Sequence, residues 1–139
     1  MKEQVNLHNN RGSILIMQGR LDAARSELEA AVHDEPGNVT ALTNLGYLLS
    51  REGRLDDAIL LYQKAIGIDP SYAVAHNNLG LAYMEKEMYA EAGDAYARAI
   101  SADPNYAVPR MNLAQRKAAA ATRQSSSGIG VFKANAARQ

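Results

Sequence analysis

The sequence predicts an all-α protein, a solenoid of antiparallel helix pairs, from three observations. A period of 34 residues runs through most of the chain, and one step of it always holds an asparagine: Asn10, Asn44, Asn78 and Asn112. Acid–proline pairs keep the same period at Glu35-Pro36, Asp69-Pro70 and Asp103-Pro104. Between these marks, apolar residues recur at helical spacing. A fixed period of this length indicates helical units that stack in a row and bury their apolar faces against one another.

The middle period shows how one unit forms. Leu42, Leu45 and Leu49 recur on one helical face, and Gly53 then interrupts the pattern before a second helix begins. The second helix ends before Pro70, because proline lacks a backbone N–H and disfavours helical geometry in the residue before it. Along the chain the pattern predicts helices over residues 3–18, 21–34, 39–52, 55–68, 73–86, 89–102 and 106–123. The residues expected to cap the helices that follow each proline are Asn38, Ser71 and Asn105.

These columns resemble the tetratricopeptide repeat family. The second unit carries the family's motif residues at Leu42, Leu45, Gly46, Leu49, Ala58, Tyr62, Ala65 and Pro70. The third unit matches at His76, Leu79, Gly80, Tyr83, Ala92, Tyr96, Ala99 and Pro104, and the first at His8, Gly12, Leu15, Ala24, Leu28, Ala31 and Pro36. The glycines and alanines let two helices approach closely, and the large residues fill the gaps between them.

The resemblance implies a right-handed superhelical solenoid of three repeat units followed by a C-terminal capping helix. The repeat domain covers residues 1–123, with units at approximately 5–38, 39–72 and 73–106 and the capping helix at 106–123. Residues 124–139 are predicted to form a flexible C-terminal tail, because serine and glycine are frequent there and no helical period continues. As a hypothesis, residues 128–132 of this tail dock in the concave face of their own or a neighbouring molecule.

Arg11 departs from the family pattern, since Leu45, Leu79 and Leu113 occupy its column in the later units. A buried, unpaired cation costs several kcal/mol. We therefore expect the first helix to be shifted, frayed or tilted, so that the Arg11 side chain reaches water.

The resemblance also implies that the first helices of successive units line a concave groove, which in this family binds extended peptides or partner helices. A carboxamide in that groove can both donate to and accept from the backbone of one guest residue. Helices about 8–10 Å apart place one asparagine at about every third guest residue, which is similar to the asparagine ladder of O-linked N-acetylglucosamine transferase. The competing interpretation is that each asparagine hydrogen-bonds a neighbouring helix and only keeps the stacking regular.

Residues beside the asparagine column complete the predicted site. The predicted peptide-binding residues are Asn10, Asn44, Asn78, Asn112, Asn9, Thr43, Asn77, Tyr47, Leu81 and Met84. The family's other binding mode is a carboxylate clamp for the acidic C-termini of heat-shock chaperones, and it uses lysine, asparagine and arginine in these columns. Here the clamp columns hold Asn9, Ser13, Asn44, Val74 and Asn78. Because the cations are absent, we expect no binding of chaperone tails.

Charge is distributed unevenly along the chain, although it sums to zero. Residues 1–103 hold 9 Lys and Arg against 15 Asp and Glu, whereas residues 104–139 hold 6 Lys and Arg and no acid. This asymmetry favours an alternative function, a self-assembling structural scaffold in which the basic C-terminal end meets the acidic body or groove of a neighbouring molecule. A homo-oligomer formed through the C-terminal tail is therefore a second partner prediction, after a protein or peptide in the groove.

Other classes of function find little support in the residues. There is no cysteine, and His8, His33 and His76 do not converge at metal-ligand spacing, so we expect no metal and no cofactor. We find no nucleophile elbow, phosphate loop or converging acid–base pair, and we expect no catalytic residue and no enzyme. The basic residues lack interleaved aromatics, which argues against nucleic-acid binding. The apolar stretch from Ile14 to Met17 is too short for a membrane span or a signal-peptide core, which predicts a cytoplasmic protein.

Overall fold

The computed structural model describes the backbone of residues 2–137 and the side chains of residues 2–124. Within that range the chain forms seven α-helices and no strand. Their bounds are α1 Lys2–Met17, α2 Leu21–Asp34, α3 Val39–Arg51, α4 Leu55–Ile68, α5 Ala73–Glu85, α6 Tyr89–Ala102 and α7 Val108–Ala137. The first six helices agree with the predicted ones to within one residue at each end. The all-α prediction is confirmed.

Helix α7 differs from its prediction at both ends. It begins at Val108, because Pro109 fits only the first turn of a helix. It continues to Ala137, through the segment predicted as a flexible tail. Residues 118–121 are all alanine, the best helix former, and no proline follows to stop the helix. The side chains of residues 128–132, the hypothetical docking segment, lie outside the described residues.

The three predicted caps have different outcomes. Asn38 caps α3 as predicted, because its side-chain oxygen accepts from the backbone N–H three residues on, at 2.9 Å. The cap predictions for Ser71 and Asn105 are wrong. The backbone N–H of each donates to the aspartate two residues before it, at 3.1 Å. These aspartates therefore order the turns between units, while the helices that follow begin further along.

In each helix pair, a glycine of the first helix packs directly against a large side chain of the second helix. Gly12, Gly46 and Gly80 are buried, and they face Leu28, Tyr62 and Tyr96 from the second helix of their own pair. A Cβ atom on Gly46 would lie 2.6 Å from the nearest carbon of the Tyr62 ring. Tyr62 and Tyr96 are each 1% exposed and anchor the core inside their pairs. The glycines therefore allow the close helix approach that the sequence columns predict.

The solenoid curves because its two layers of helices pack differently. The first helices of the pairs contact one another in succession, α1 with α3, α3 with α5 and α5 with α7. In the described chain, the second helices α2, α4 and α6 contact first helices but not one another. The first helices therefore lie on the inner, concave side, and the second helices spread over the outer side.

Arg11 reaches water as expected, although α1 is a continuous helix over Lys2–Met17 and is not frayed. Its side chain is 57% exposed, and Nη1 lies 4.0 Å from the Glu27 carboxylate. His8 contacts the same carboxylate through Nδ1 at 2.6 Å. In the third pair the equivalent residue, Leu79, is 8% exposed because helix α4 covers it. No helix of the described chain covers α1 in this way, so the Arg11 cation is not buried.

Candidate functional site

Three columns of residues share the concave side of the first helices. On each helix they lie at positions i, i+3 and i+7, which project from one side. The asparagine column holds Asn10, Asn44 and Asn78; the second column holds Ser13, Tyr47 and Leu81; the third holds Met17, Arg51 and Glu85. We call these three columns the inner face.

The first cavity of the inner face lies between α1 and α3 and has a volume of about 240 Å³. Its lining residues are Ser13, Ile16, Met17, Asn44, Tyr47 and Arg51. Met17 is 84% exposed, and its flexible thioether offers an adaptable apolar wall beside the Asn44 carboxamide. The cavity therefore combines apolar surface with groups that can donate and accept hydrogen bonds, namely the Ser13 and Tyr47 hydroxyls and the Asn44 carboxamide.

The second cavity lies between α3 and α5 and has a volume of about 200 Å³. Its lining residues are Tyr47, Ser50, Arg51, Tyr62, Asn78, Leu81, Ala82 and Glu85. Tyr62 belongs to α4 and reaches the cavity beneath Gly46. Burial raises the pKa of Tyr62 well above its ordinary value, and the nearby Ser50 hydroxyl offsets this only in part. Tyr62 therefore stays neutral and supplies a hydroxyl to the floor of the cavity.

Tyr47 and Arg51 line both cavities and form the ridge between them. The Arg51 Nη1 atom lies 3.4 Å from the Tyr47 hydroxyl, one helical turn away. Tyr47 is 38% exposed, and Leu81 in the same column is 39% exposed. The inner face thus alternates accessible apolar surface with separate polar groups, a combination typical of binding sites.

The asparagines of the predicted ladder have different surroundings. Asn10 is exposed, whereas Asn44 and Asn78 are half-buried and each lines one cavity. Among the described residues, the carboxamides of Asn44 and Asn78 have no hydrogen-bond partner, unlike Asn112. Asn112 donates through Nδ2 to Asn77 Oδ1 at 2.9 Å. This bond joins α7 to α5, which is the role that the competing interpretation gives to the asparagines.

The predicted site residues that directly precede the asparagine column are buried. Asn9, Thr43 and Asn77 are 4%, 1% and 2% exposed. Asn9 donates to the Asn38 side chain at 3.5 Å, and the Thr43 hydroxyl donates to the Val39 carbonyl at 2.7 Å. Successive residues of a helix are about 100° apart around its axis, so neighbours of the column turn into the packed interior. A guest on the inner face cannot reach them.

The third column of the inner face was missed by the sequence analysis. Met17, Arg51 and Glu85 follow the asparagine column by seven residues, which is two helical turns along the same side. The period that revealed the asparagines could therefore have revealed these residues too. Met84, which was predicted, is half-buried next to Glu85.

A larger cavity of about 290 Å³ lies on the outer side, among α4, α5 and α6. His76 lines it and is 4% exposed, and its Nε2 donates to the Pro70 carbonyl at 2.8 Å. His8 is paired with Glu27, and His33 is exposed. The described residues contain no group of three or more His, Cys, Asp or Glu that could hold a metal ion.

Across the described helices, none combines the length and the apolar character needed to cross a membrane.

The fold and the inner face define a helical-repeat protein with a concave surface built from its first helices. Two models of the tetratricopeptide repeat match the sequence, one over residues 9–73 and one over residues 73–106. The two matches run on without a gap through all three helix pairs. The chain belongs to the tetratricopeptide repeat family. Such repeats are generally interaction modules rather than enzymes.

Solved structures share this fold. The Sgt2 tetratricopeptide domain from Aspergillus fumigatus is 23% identical, with a TM-score of 0.81 over 87% of this chain and 82% of that one. The first such domain of human RPAP3 is 21% identical, with a TM-score of 0.82 over 91% and 99%. The first such domain of Spaghetti (RPAP3), bound to the HSP90 peptide SRMEEVD, is 21% identical, with a TM-score of 0.78 over 87% and 96%. A search of proteins with curated descriptions finds no significant match.

Proposed function

We propose that this protein is a non-enzymatic adaptor that binds an extended segment of another protein on the inner face. Asn44 and Asn78 pair with the backbone of the guest, and the two cavities beside them take its side chains. One observation carries the proposal: two carboxamides, one period apart, each border an open cavity and have no partner among the described residues. Asn10, exposed on α1, extends the row toward the start of the chain.

The physical argument concerns what a guest gains on this surface. A carboxamide can donate one hydrogen bond to a guest carbonyl and accept one from a guest N–H, and each such bond contributes about 0.5–1.5 kcal/mol net. These bonds do not depend on the guest side chains. Side-chain preference then comes from the cavities, where Tyr47 and Leu81 offer apolar surface and Arg51 offers charge. Backbone pairing therefore supplies affinity, and the cavities supply specificity.

An acidic chaperone tail is not the guest that we propose. The Spaghetti domain binds an HSP90 peptide that ends in Glu-Glu-Val-Asp. In the present chain the clamp columns hold no lysine or arginine, and one of their residues, Asn9, is buried. A terminal carboxylate would therefore lose its charge-assisted hydrogen bonds.

The test uses a partner segment captured with the wild-type protein and then made as a synthetic peptide. Isothermal titration is expected to show affinity reduced by about five- to hundredfold in Asn44→Ala and in Asn78→Ala, because each loses two backbone hydrogen bonds. Folding stability should change by less than about 0.5 kcal/mol in either variant, since neither carboxamide bonds to the scaffold.

Asn105→Ala serves as the matched control. Asn105 is an exposed asparagine in the turn before α7, and it lines neither inner-face cavity. Its substitution should leave the affinity at the wild-type value. If all three variants bind the segment equally well, the asparagines do not hold the guest and the proposed binding mode is wrong.

Self-assembly is a second candidate because apolar side chains are exposed at both ends of the described solenoid. Leu7 and Ile14 on α1 are 45% and 53% exposed, and Val108 and Met111 on α7 are 43% and 62% exposed. The segment 104–139 has no acid, whereas the rest of the chain has an excess of acids. A basic end could therefore meet the acidic body of a second copy.

A further inference from the structure

Two charged residues of the inner face, Arg51 and Glu85, are left without an ionic partner among the described residues. They occupy equivalent positions one period apart, at the ends of α3 and α5, and both are exposed. The residues directly after them behave differently. Glu52 and Lys86 each form an ion pair with the second helix of the preceding pair. At each of these two helix ends, therefore, one charged residue pairs with the preceding helix pair and its neighbour faces the groove.

The positions of the two unpaired charges indicate which charges a guest segment would carry. Arg51 lines both inner-face cavities, and Glu85 lines the second one. An unpaired charge on a binding surface attracts the opposite charge of a ligand and disfavours the same charge. The inner face therefore presents a cation on α3 followed by an anion on α5.

The distance between the two helices sets the spacing that the guest must match. Packed helices lie about 8–10 Å apart, so equivalent side chains on α3 and α5 are separated by about that distance. In a polyproline II segment, residues three apart lie on one side and are about 9 Å apart. In a β-strand, residues on one side are about 7 Å or about 13 Å apart, which fits less well. Polyproline II also leaves every backbone N–H and C=O free for the asparagines.

We infer that the guest segment carries an acidic and a basic side chain three residues apart, in polyproline II conformation. The acidic side chain pairs with Arg51, and the basic side chain pairs with Glu85. The order of the two charges then fixes the direction of the guest along the groove. This inference rests on the proposed function and narrows it, because the asparagines accept any backbone whereas the charge pair selects among sequences.

The experiment selects binders from a displayed library of short random peptides, with the wild-type protein and with the double variant Arg51→Glu/Glu85→Arg. Peptides selected by the wild-type protein should share an acid and a base three residues apart in one order. Peptides selected by the double variant should share the opposite order. Glu85→Gln is a milder second variant, and its peptides should keep the acid and lose the preference for the base.

Measured affinities give the size of the preference for one order of the two charges. In fluorescence anisotropy at low salt, the wild-type protein should prefer a selected peptide over its charge-reversed copy by about two- to thirtyfold, the effect of two exposed ion pairs. The double variant should reverse this preference, and high salt should reduce it in both proteins. The matched control reverses the exposed ion pair between Arg54, which directly precedes α4, and Asp57, in the first turn of α4, with Arg54→Asp/Asp57→Arg. That change lies outside both cavities and should leave the preference as in the wild type.

The outcomes separate this inference from the proposed function. Selected peptides without a common charge spacing, or without reversal in the double variant, overturn the inference while the peptide-binding function stands. A selection that yields no binding peptide for any of the proteins overturns both. If the control reversal changes the preference as much as the inner-face reversal does, the effect comes from the overall field and the pairing with Arg51 and Glu85 is refuted.

Discussion

The close approach of the two helices at Gly46 makes a sharp prediction about stability. A Cβ atom at this position would lie 2.6 Å from Tyr62 Cε1, whereas carbon atoms pack best at about 3.5–4.0 Å. The ring would have to move by about 1 Å. Tyr62 is 1% exposed, and its contact with Gly46 is made by the rigid ring rather than by the end of a flexible side chain, so the ring cannot move aside cheaply. Gly46→Ala should therefore strain the second helix pair.

The expected magnitude follows from two opposing terms. Overpacking of a core by one methyl group costs about 1–3 kcal/mol, and a rigid aromatic neighbour places this site at the upper end. Alanine recovers up to about 1 kcal/mol relative to glycine through its better helix propensity. We expect Gly46→Ala to lower the free energy of unfolding by about 2 kcal/mol. Gly67→Ala is the matched control, because a Cβ atom there meets nothing within 4 Å.

Urea denaturation followed by far-UV circular dichroism measures both variants. At constant m-value, the midpoint should fall for Gly46→Ala and stay unchanged or rise for Gly67→Ala, since the control keeps only the propensity gain. The two substitutions are chemically identical and both lie in helices. Equal stability of the two variants would refute the argument that Tyr62 leaves no room for a side chain at Gly46.

Three further predictions concern pH, ligand and assembly. Burial raises the pKa of Tyr96 from 10.0 to about 12, so its stabilising contribution is complete below pH 10 and is lost as the pH rises through 12. Tyr96→Phe should reduce this alkaline loss of stability, as measured by urea denaturation at pH 8 and at pH 11. The peptide SRMEEVD should show no saturable binding by isothermal titration, because the clamp cations are absent; tight binding that amidation of its C-terminus abolishes would contradict this. If the molecules assemble through opposite charges, light scattering at low salt should reveal particles that dissociate as salt rises, and assemblies that resist salt would refute an electrostatic contact.

Most of the fold could be predicted because each unit repeats the same pattern of helix-ending and packing residues. In each unit the acid–proline turn ends the second helix, and a small residue such as Gly46 faces a large one such as Tyr62. Because this pattern recurs with the period, the pattern of one unit predicts all six helices of the three units. Helix α7 lies after the three matched repeat units, so the 34-residue period does not indicate where it ends, and local helix propensity must be used instead. That is why its continuation to Ala137 was not predicted.

The candidate site was predicted less completely than the fold, for a geometric reason. The period identifies columns but not the direction in which each column faces. Asn44 and Tyr47 lie on the inner face, whereas Thr43, one residue before Asn44, faces the packed interior between the helices. The bond between Asn112 and Asn77 depends on how α7 lies against α5, which a repeating pattern does not contain.

If the inner face binds a peptide segment as we propose, the two ends of the asparagine column set the length of that segment. Asn112 is engaged by the scaffold, so the column available to a guest runs only from α1 to α5. Three first helices at about 8–10 Å spacing span about 16–20 Å. At about 3.1 Å per residue in polyproline II, that span covers about five to six guest residues. In the binding mode that we propose, the acid–base pair of the guest lies between α3 and α5, and the rest of the guest lies beside the exposed Met17 of the first cavity. We therefore expect the proposed guest to carry an apolar side chain on the acidic side of its charge pair.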